Sequence, residues 1–354
     1  MITPNNMEKF TNNDVVIMYQ KLNERLSKTI ISKLRQTGDI SSFTRSQIRQ
    51  LELQGGKEIF KKALEETAGL NKKRKQEIQD LFEEIGEQEL KGYSEVYKEK
   101  GIDYELSKES KQLIKAVSRR TNGELKNLTK TIAYASQKTF VDAMDELYKD
   151  VASGSYAYDE AMKRTINELA DKGVTLKTKD GRHEKLEVAV KRNMLTSIKQ
   201  TANSIAKDVG DIIGANCVVI GHSTKCRPTH HPIDSVTMSI KEFKSKYEYL
   251  TEEPNCYHIV NYDWQPEFEN ADHKVIYDNE HQSYAQTVRN YNIQQKARYY
   301  ERQVRDAKRN IVVGGNNKES RTKLRNAQAK IRAYDKQNNI ERDYSREWTP
   351  YYNK

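Results

Sequence analysis

All three cysteines and four of the seven histidines of this 354-residue chain fall between residues 217 and 258. Cys226 and His230 are separated by three residues, Cys256 and His258 by one, and His222 precedes both pairs. Two thiolates and two imidazoles are the donor set of a tetrahedral zinc site, so His222, Cys226, His230, Cys256 and His258 are the candidate metal ligands and zinc the candidate cofactor. The same residue types have a plainer reading. Histidines in a loop-rich module can simply hydrogen-bond backbone carbonyls, and buried cysteines behave as small apolar side chains. Cys217 stands in a β-branched run and reads as core.

The catalytic readings are weaker. His230-His231 with Asn255 and His258 are residue types used by ββα-metal nucleases, where a histidine activates water and a metal holds the scissile phosphate. Here Asn255 stands only three residues before His258, with no helix-length gap to bring both to one ion. A Cys–His nucleophile has no local elbow to present it. Gly214, Gly221 and Gly314-Gly315 lack the strand-to-helix context of a phosphate loop. The expectation is a chain with no catalytic residues.

The elements that must hold the His/Cys cluster are a short buried strand at 216–220, a proline-bounded loop at 226–232, a short helix near 241–250, and a second strand at 259–264 paired with the first. Before them, apolar residues recur at helical spacing. Val15, Tyr19, Leu22, Leu26, Ile30 and Leu34 define a first helix, with Asn12-Asn13-Asp14 offering its cap. A second helix is expected at about 44–54, stopping at Gly55-Gly56, with the pattern resuming to Gly69. Asn71 is then expected to cap another helix. Ser107 opens a further helix, broken near Asn122-Gly123, and residues 125–151 form the longest stripe. A helix from about Tyr158 ends at Gly173. Residues 174–181 read as a strand entering a hairpin turn, and 186–213 as helix.

Beyond residue 280 the pattern becomes a heptad. Ile293, Ala297, Tyr300, Val304, Ala307 and Ile311 form one seam; Leu324, Ala327, Ile331 and Tyr334 resume it after a Gly-Gly-Asn-Asn turn. Two such helices with a short connection fold back as an antiparallel hairpin. The reading is a mainly α fold: helical regions at 1–105 and 106–185, a small α+β module with a short sheet at 186–279, a basic helical hairpin at 280–338, and an extended tail at 339–354.

Charge singles out the hairpin. The formal net charge is +10. Residues 285–354 carry 17 Lys/Arg against 7 Asp/Glu, so the whole excess lies there and the rest of the chain is balanced. A localised basic surface implies an anionic partner, most simply double-stranded DNA contacted without base readout. The contact candidates are Lys296, Arg298, Arg302, Arg305, Lys308, Arg309, Arg321, Lys323 and Arg325, with tyrosines interleaved. The competing reading is a solvated coiled-coil face. Tyrosine is abundant, at 21 residues against 7 Phe and 2 Trp, which suits half-buried interfaces of an assembly component. An odd cysteine count argues against a disulfide framework. No signal pattern opens the chain and no apolar run is long enough to span a membrane, so a reducing, aqueous compartment is expected.

The loop and the arm together carry a resemblance. Gly221-His222, Arg227-Pro228-x-His230 and Asn255-Cys256-x-His258, followed by Gln294-Gln295-Lys296-Ala297-Arg298-Tyr299-Tyr300-Glu301-Arg302, resemble the tailed-phage minor capsid protein 2 family, which is related in role to head-morphogenesis proteins of the Mu F type. Arg192 also matches. The chain departs from the family pattern at Ile233-Asp234-Ser235, at Tyr257 and at Cys226, which leaves His222, Arg227, Pro228 and His230 as the shared structural core of the loop. The resemblance implies a virion component in a few copies, inside the head near the portal vertex and in the host cytoplasm during assembly. Its expected partners are the portal protein, the major capsid protein and packaged DNA, and its role is structural, in head morphogenesis and DNA packaging or ejection. The alternatives are a zinc-stabilised, non-specific DNA-binding protein and, behind it, a metal-dependent nuclease.

Overall fold

The computed structural model describes residues 2–3, 7, 10, 13–101, 105–178, 180–224, 226–253 and 256–352. Asn12, part of the expected first cap, and Pro254 and Asn255 lie outside them. The fold is mainly α. Its longer helices are α1 (Asp14–Arg35), α2 (Arg45–Lys91), α4 (Lys108–Ala152), α5 (Tyr158–Lys172), α6 (Leu186–Ile213), α9 (Tyr284–Arg309) and α10 (Lys318–Asn338); α3 (Ser94–Lys100), α7 (Ile240–Lys246) and α8 (Glu248–Glu252) are short. The strands are β1 (Thr175–Lys177), β2 (His183–Lys185), β3 (Cys217–Ile220), β4 (Val236–Ser239), β5 (Val260–Asp263) and β6 (Val275–Tyr277).

The chain condenses into two compact units, each assembled from separated segments. One takes Met1–Asp14, Lys73–Gly123 and Lys191–Gln295; the other takes Val15–Lys72, Glu124–Val190 and Lys296–Lys354. The boundaries therefore fall inside α1, α2, α4, α6 and α9.

Three expected helix breaks do not occur. Gly55-Gly56, Gly69 and Asn71 all lie within the single helix α2, and Asn122-Gly123 within α4. Gly69 and Gly123 have nothing within 4 Å and are simply tolerated inside long helices, whereas at Gly55 the reason is packing. A Cβ on Gly55 would sit 2.5 Å from the Phe140 ring, and one on Gly86 2.6 Å from Ile114. These glycines let two helix backbones approach closely. Glycine costs a helix about 1 kcal/mol relative to alanine, which burial of Phe140 and Ile114 at the contact offsets. Where a left-handed residue is needed, glycine does end helices: Gly101 (φ 62°) closes α3.

In the first unit, α4 lies against α6 through a buried hydroxyl pair, Thr121 to Ser197 at 2.9 Å, and through Ser110, which donates to Asp208 at 2.6 Å. Ser107 caps α4 by accepting from the Ser110 amide. The sheet of this unit runs in the order β5-β3-β4-β6, antiparallel throughout. The expected pairing of the 216–220 and 259–264 segments is β3 with β5. β4 and β6 were not anticipated: β4 alternates Val-Thr-Met-Ser but is only four residues long, too short a run to establish a period, and both of its faces are buried. Asn203 of α6 accepts from the Val260 amide at 3.0 Å, and Gly210 leaves room for the Tyr262 side chain.

In the second unit, α1 buries Tyr19, Leu22, Leu26, Ile30 and Leu34, the stripe expected of it. The α9–α10 hairpin has its own core of Val304, Ala307, Leu324, Ala327 and Ile331, bordered by Tyr300, Ile311 and Tyr352. Tyr300 of α9 meets Tyr334 of α10 at 5.3 Å between ring centroids, which fixes an antiparallel register. The chain reverses through a π-helical turn at Asn310–Gly314, and Asn317 with Ser320 forms a capping box on α10. The tail is not an extended arm. Residues Tyr344–Glu347 make a 3-10 turn, Glu347 is buried and paired with Arg342, and Arg346 pairs with Glu301 at 3.5 Å.

The hairpin is anchored by a buried polar cluster. Arg309 donates to Glu187 at 2.5 Å, and Asn23 donates to the other oxygen of Glu187 at 2.8 Å. Lys185 pairs with Asp306, and Asn310 donates to Asp171 at 3.0 Å. Burial disfavours the Glu187 carboxylate, yet Arg309 and Lys185 outweigh it and hold its pKa down to about 2.

Candidate functional site

The register of the sheet builds the site. Ile220 of β3 lies opposite Val236 of β4 and Val260 of β5. His222 follows Ile220 by two residues, Asp234 precedes Val236 by two, and His258 precedes Val260 by two. Three side chains distant in sequence are thus delivered to one end of the sheet. His222 Nδ1 lies 2.8 Å from Asp234 Oδ2, and His258 Nε2 lies 2.9 Å from Asp234 Oδ1. The Ser223 amide also donates to Asp234 Oδ1, at 2.7 Å.

Asp234 and His258 are buried. Burial works against the Asp234 carboxylate, but the hydrogen bonds from His222 and His258 hold it well below the usual carboxylate range. The bond to Asp234 raises His222 above the ordinary imidazole value. His258 is raised as well: burial opposes its charge, and Asp234, Cys226 and Cys256 outweigh burial.

A second carboxylate holds the other side. Glu253 Oε2 lies 3.0 Å from Arg227 Nη1 and 3.0 Å from His230 Nε2. Arg227, Pro228 and His230 belong to one feature, since Pro228 opens the 3-10 turn Pro228–Ile233 that carries the buried His230. Lys199 reaches from α6 to the carbonyls of Thr251 and Glu253, tying the Glu253 segment to the helix.

Cys256 Sγ lies 3.6 Å from His258 Nδ1. The donor atoms of His230, Cys256 and His258 all lie within 4.8 Å of one another, as do those of Cys226, Asp234 and His258. All five residues are buried, and each of the two groups, which share His258, could hold a metal ion. Burial alone would raise the Cys256 thiol, but hydrogen bonding to His230 and His258 brings its pKa down to about 5. The Cys226 thiol is pushed up by burial.

Of the five ligand candidates, His230, Cys256 and His258 converge, and Cys226 joins them through its proximity to His258. His222 stands apart, turned to Asp234. Cys217 is a core residue, fully buried, with its thiol on the Asp263 carbonyl and its pKa pushed up to about 12 by burial. Asp234, Glu253 and Lys199 were missed. An acid between Ile233 and a buried strand was the available sign for Asp234; nothing local marks Glu253 or Lys199. Next to the cluster, His231 donates toward the Gln282 carbonyl and packs its ring 4.6 Å from His281, which hydrogen-bonds the Asp234 carbonyl at 2.6 Å.

The basic candidates divide. Arg302, Arg321 and Arg325 are exposed on the hairpin. Lys296 is exposed and lies over Tyr299 and Tyr300, at 5.2 and 5.4 Å. Lys323 is exposed but pairs with Asp171, and Arg298 is half-buried. Arg305, Lys308 and Arg309 are engaged within the fold. Arg305 donates to the Arg346 carbonyl, Lys308 donates to the Glu347 carbonyl at 2.8 Å, and Arg309 is buried on Glu187. They brace the hairpin because the folded tail and the Glu187 cluster cover that flank.

Among the described residues no helix is long and apolar enough to cross a membrane. No curated protein and no solved structure matches the chain significantly. The histidine loop, the small sheet and the basic hairpin instead lie within a match of residues 2–339 to the family model described as phage minor capsid protein 2, and the chain belongs to that family.

Proposed function

We propose that this phage minor capsid protein acts structurally in the head: it sits in several copies at the portal vertex, binds the portal or major capsid protein through its N-terminal helices, and presents its basic hairpin to packaged DNA during packaging and delivery. As a minor capsid protein it is a virion component. The finer reading is carried by one observation. The entire formal charge excess lies in residues 285–354, and Arg302, Arg321 and Arg325 of that segment stand exposed on a rigid helical pair. A basic surface on long helices suits an anionic polymer whose sequence is irrelevant. No residue is assigned a catalytic role.

The test is a salt titration of DNA binding by fluorescence anisotropy. Replacing Lys296, Arg302, Arg321, Lys323 and Arg325 by Gln removes up to five phosphate contacts. The slope of log K against log salt then falls by about 0.9 per lost contact. An unchanged slope refutes the DNA reading. Mass spectrometry of intact and emptied particles reports whether the protein is in the head and whether it leaves with the genome.

The buried His/Cys group favours a second reading, a zinc-stabilised non-specific DNA-binding protein of the host cytoplasm. Such a protein would not co-purify with particles. A nuclease would nick plasmid with added Mg²⁺, Mn²⁺ or Zn²⁺ and lose that activity in His230→Ala.

A further inference from the structure

We propose that Cys226, His230, Cys256 and His258 bind one structural zinc ion, with both histidines ligating through Nδ1 and with Asp234 and Glu253 orienting their rings from behind. The inference rests on the donor group alone and stands or falls independently of the DNA reading.

Tautomer geometry is the first support. His258 has its Nε2 on Asp234 at 2.9 Å and its Nδ1 toward Cys256 at 3.6 Å. His230 likewise has its Nε2 on Glu253 at 3.0 Å, and its ring hydrogen-bonds Cys256. In each ring the carboxylate takes one nitrogen, which leaves Nδ1 for the shared sulfur. A carboxylate behind a ligating histidine is the recurrent outer shell of zinc sites, where it sets the tautomer and the ring orientation.

Donor spacing is the second. Tetrahedral zinc with Zn–S of about 2.3 Å and Zn–N of about 2.0–2.1 Å places sulfur and nitrogen about 3.6 Å apart, matching Cys256 and His258. A bare thiol–imidazole hydrogen bond has a similar length, so this pair alone does not select the metal. The convergence does: a second imidazole lies within 4.8 Å of the same sulfur, and a second thiol lies within 4.8 Å of His258. Asp234 is already engaged by His222, Ser223 and His258, so Cys226 is the fourth donor. Cys226 takes that place by turning its Sγ from the Arg227 carbonyl, 3.3 Å away, into the group.

Burial is the third. Two cysteines and two imidazoles buried together lack water to satisfy their polar atoms, and a divalent ion with two thiolates satisfies every donor at once. Four protein ligands leave no open coordination position, so the site is structural and not hydrolytic. It would clamp the 3-10 turn, the segment after α8 and the entry to β5 at one end of the sheet.

The experiment uses the full chain, expressed with zinc and freed of any affinity tag. Elemental analysis after dialysis should give about one zinc per chain in the wild type and in Cys217→Ala, and none in Cys256→Ser or His258→Ala. Because loss of a ligand can prevent folding, the wild type is also loaded with cobalt(II). Thiolate-to-cobalt charge transfer in the near ultraviolet, with the intense visible bands of four-coordinate cobalt, is the expected result. Metal-free wild type, cobalt bound without the charge-transfer band, a Cys226–Cys256 disulfide, or full zinc content in Cys256→Ser would each overturn the proposal.

Discussion

Replacing Glu24 by Gln should stabilise the second unit at alkaline pH and do nothing in acid. Glu24 lies on α1 with no exposed surface, and neither of its carboxylate oxygens has a hydrogen-bond partner among the described residues. Burial pushes its pKa up from 4.5 to about 7; Arg309 and Lys28 oppose the rise and Glu187 adds to it. The folded protein therefore keeps a proton that the unfolded chain releases above pH 4.5. Stability falls as pH climbs from 4.5 to about 7 and is flat beyond. At about 1.4 kcal/mol per pKa unit, the wild-type carboxyl costs about 3 kcal/mol at pH 8 and nothing at pH 4. Glutamine keeps the shape and removes the titration. The chain has two tryptophans, Trp264 in the first unit and Trp348 in the second. Urea unfolding followed by Trp348 fluorescence in a Trp264→Phe background reports the unit that holds Glu24, which matters because two units need not unfold together. Glu24→Gln should raise the midpoint at pH 8 by the equivalent of up to about 3 kcal/mol and leave it unchanged at pH 4. A variant no more stable at pH 8, or equally stabilised at both values, refutes a buried, unsatisfied carboxyl at this position.

The partner carboxylate has the opposite sign. Glu187 is held down to about 2 in the folded state, so its contribution is present above pH 4.5 and lost as pH falls from 4.5 toward 2. Arg309→Met leaves the buried Glu187 without its guanidinium and should destabilise the second unit by about 3–5 kcal/mol, measured by the same Trp348 unfolding; Arg309→Met combined with Glu187→Gln should recover most of the loss. The glycines of α2 predict contrasting outcomes. Gly55→Ala drives a methyl into the Phe140 ring and should cost about 1–3 kcal/mol. Gly69→Ala meets nothing within 4 Å and should stabilise by about 0.4–1 kcal/mol. Thermal unfolding by circular dichroism separates the two.

Local repetition determined much of this molecule. The stripe on α1, the heptads of α9 and α10, the β1–β2 hairpin and the extent of α6 are legible because each is written in residues a few positions apart, where periodicity and caps act. The crowding of cysteine and histidine around the loop also pointed to one site. What periodicity does not carry is what lies across a contact. Gly55 and Gly123 read as stops because glycine is a poor helix former; only the approach of Phe140 shows why Gly55 is kept. β4 escaped notice because its four residues are too few to establish a period. Arg302 and Arg309 are seven residues apart on one helix and look alike in sequence, yet one faces solvent and the other is buried on Glu187, more than a hundred residues away. In the loop, the register that brings Val236 and Val260 opposite Ile220 also joins His222, Asp234 and His258, and Glu253 reaches His230 across 23 positions. Burial and pairing of charge depend on long-range neighbours. The local pattern therefore marked where polar chemistry gathers, while the packed structure decided which groups are brought together, which brace the fold and which stay exposed.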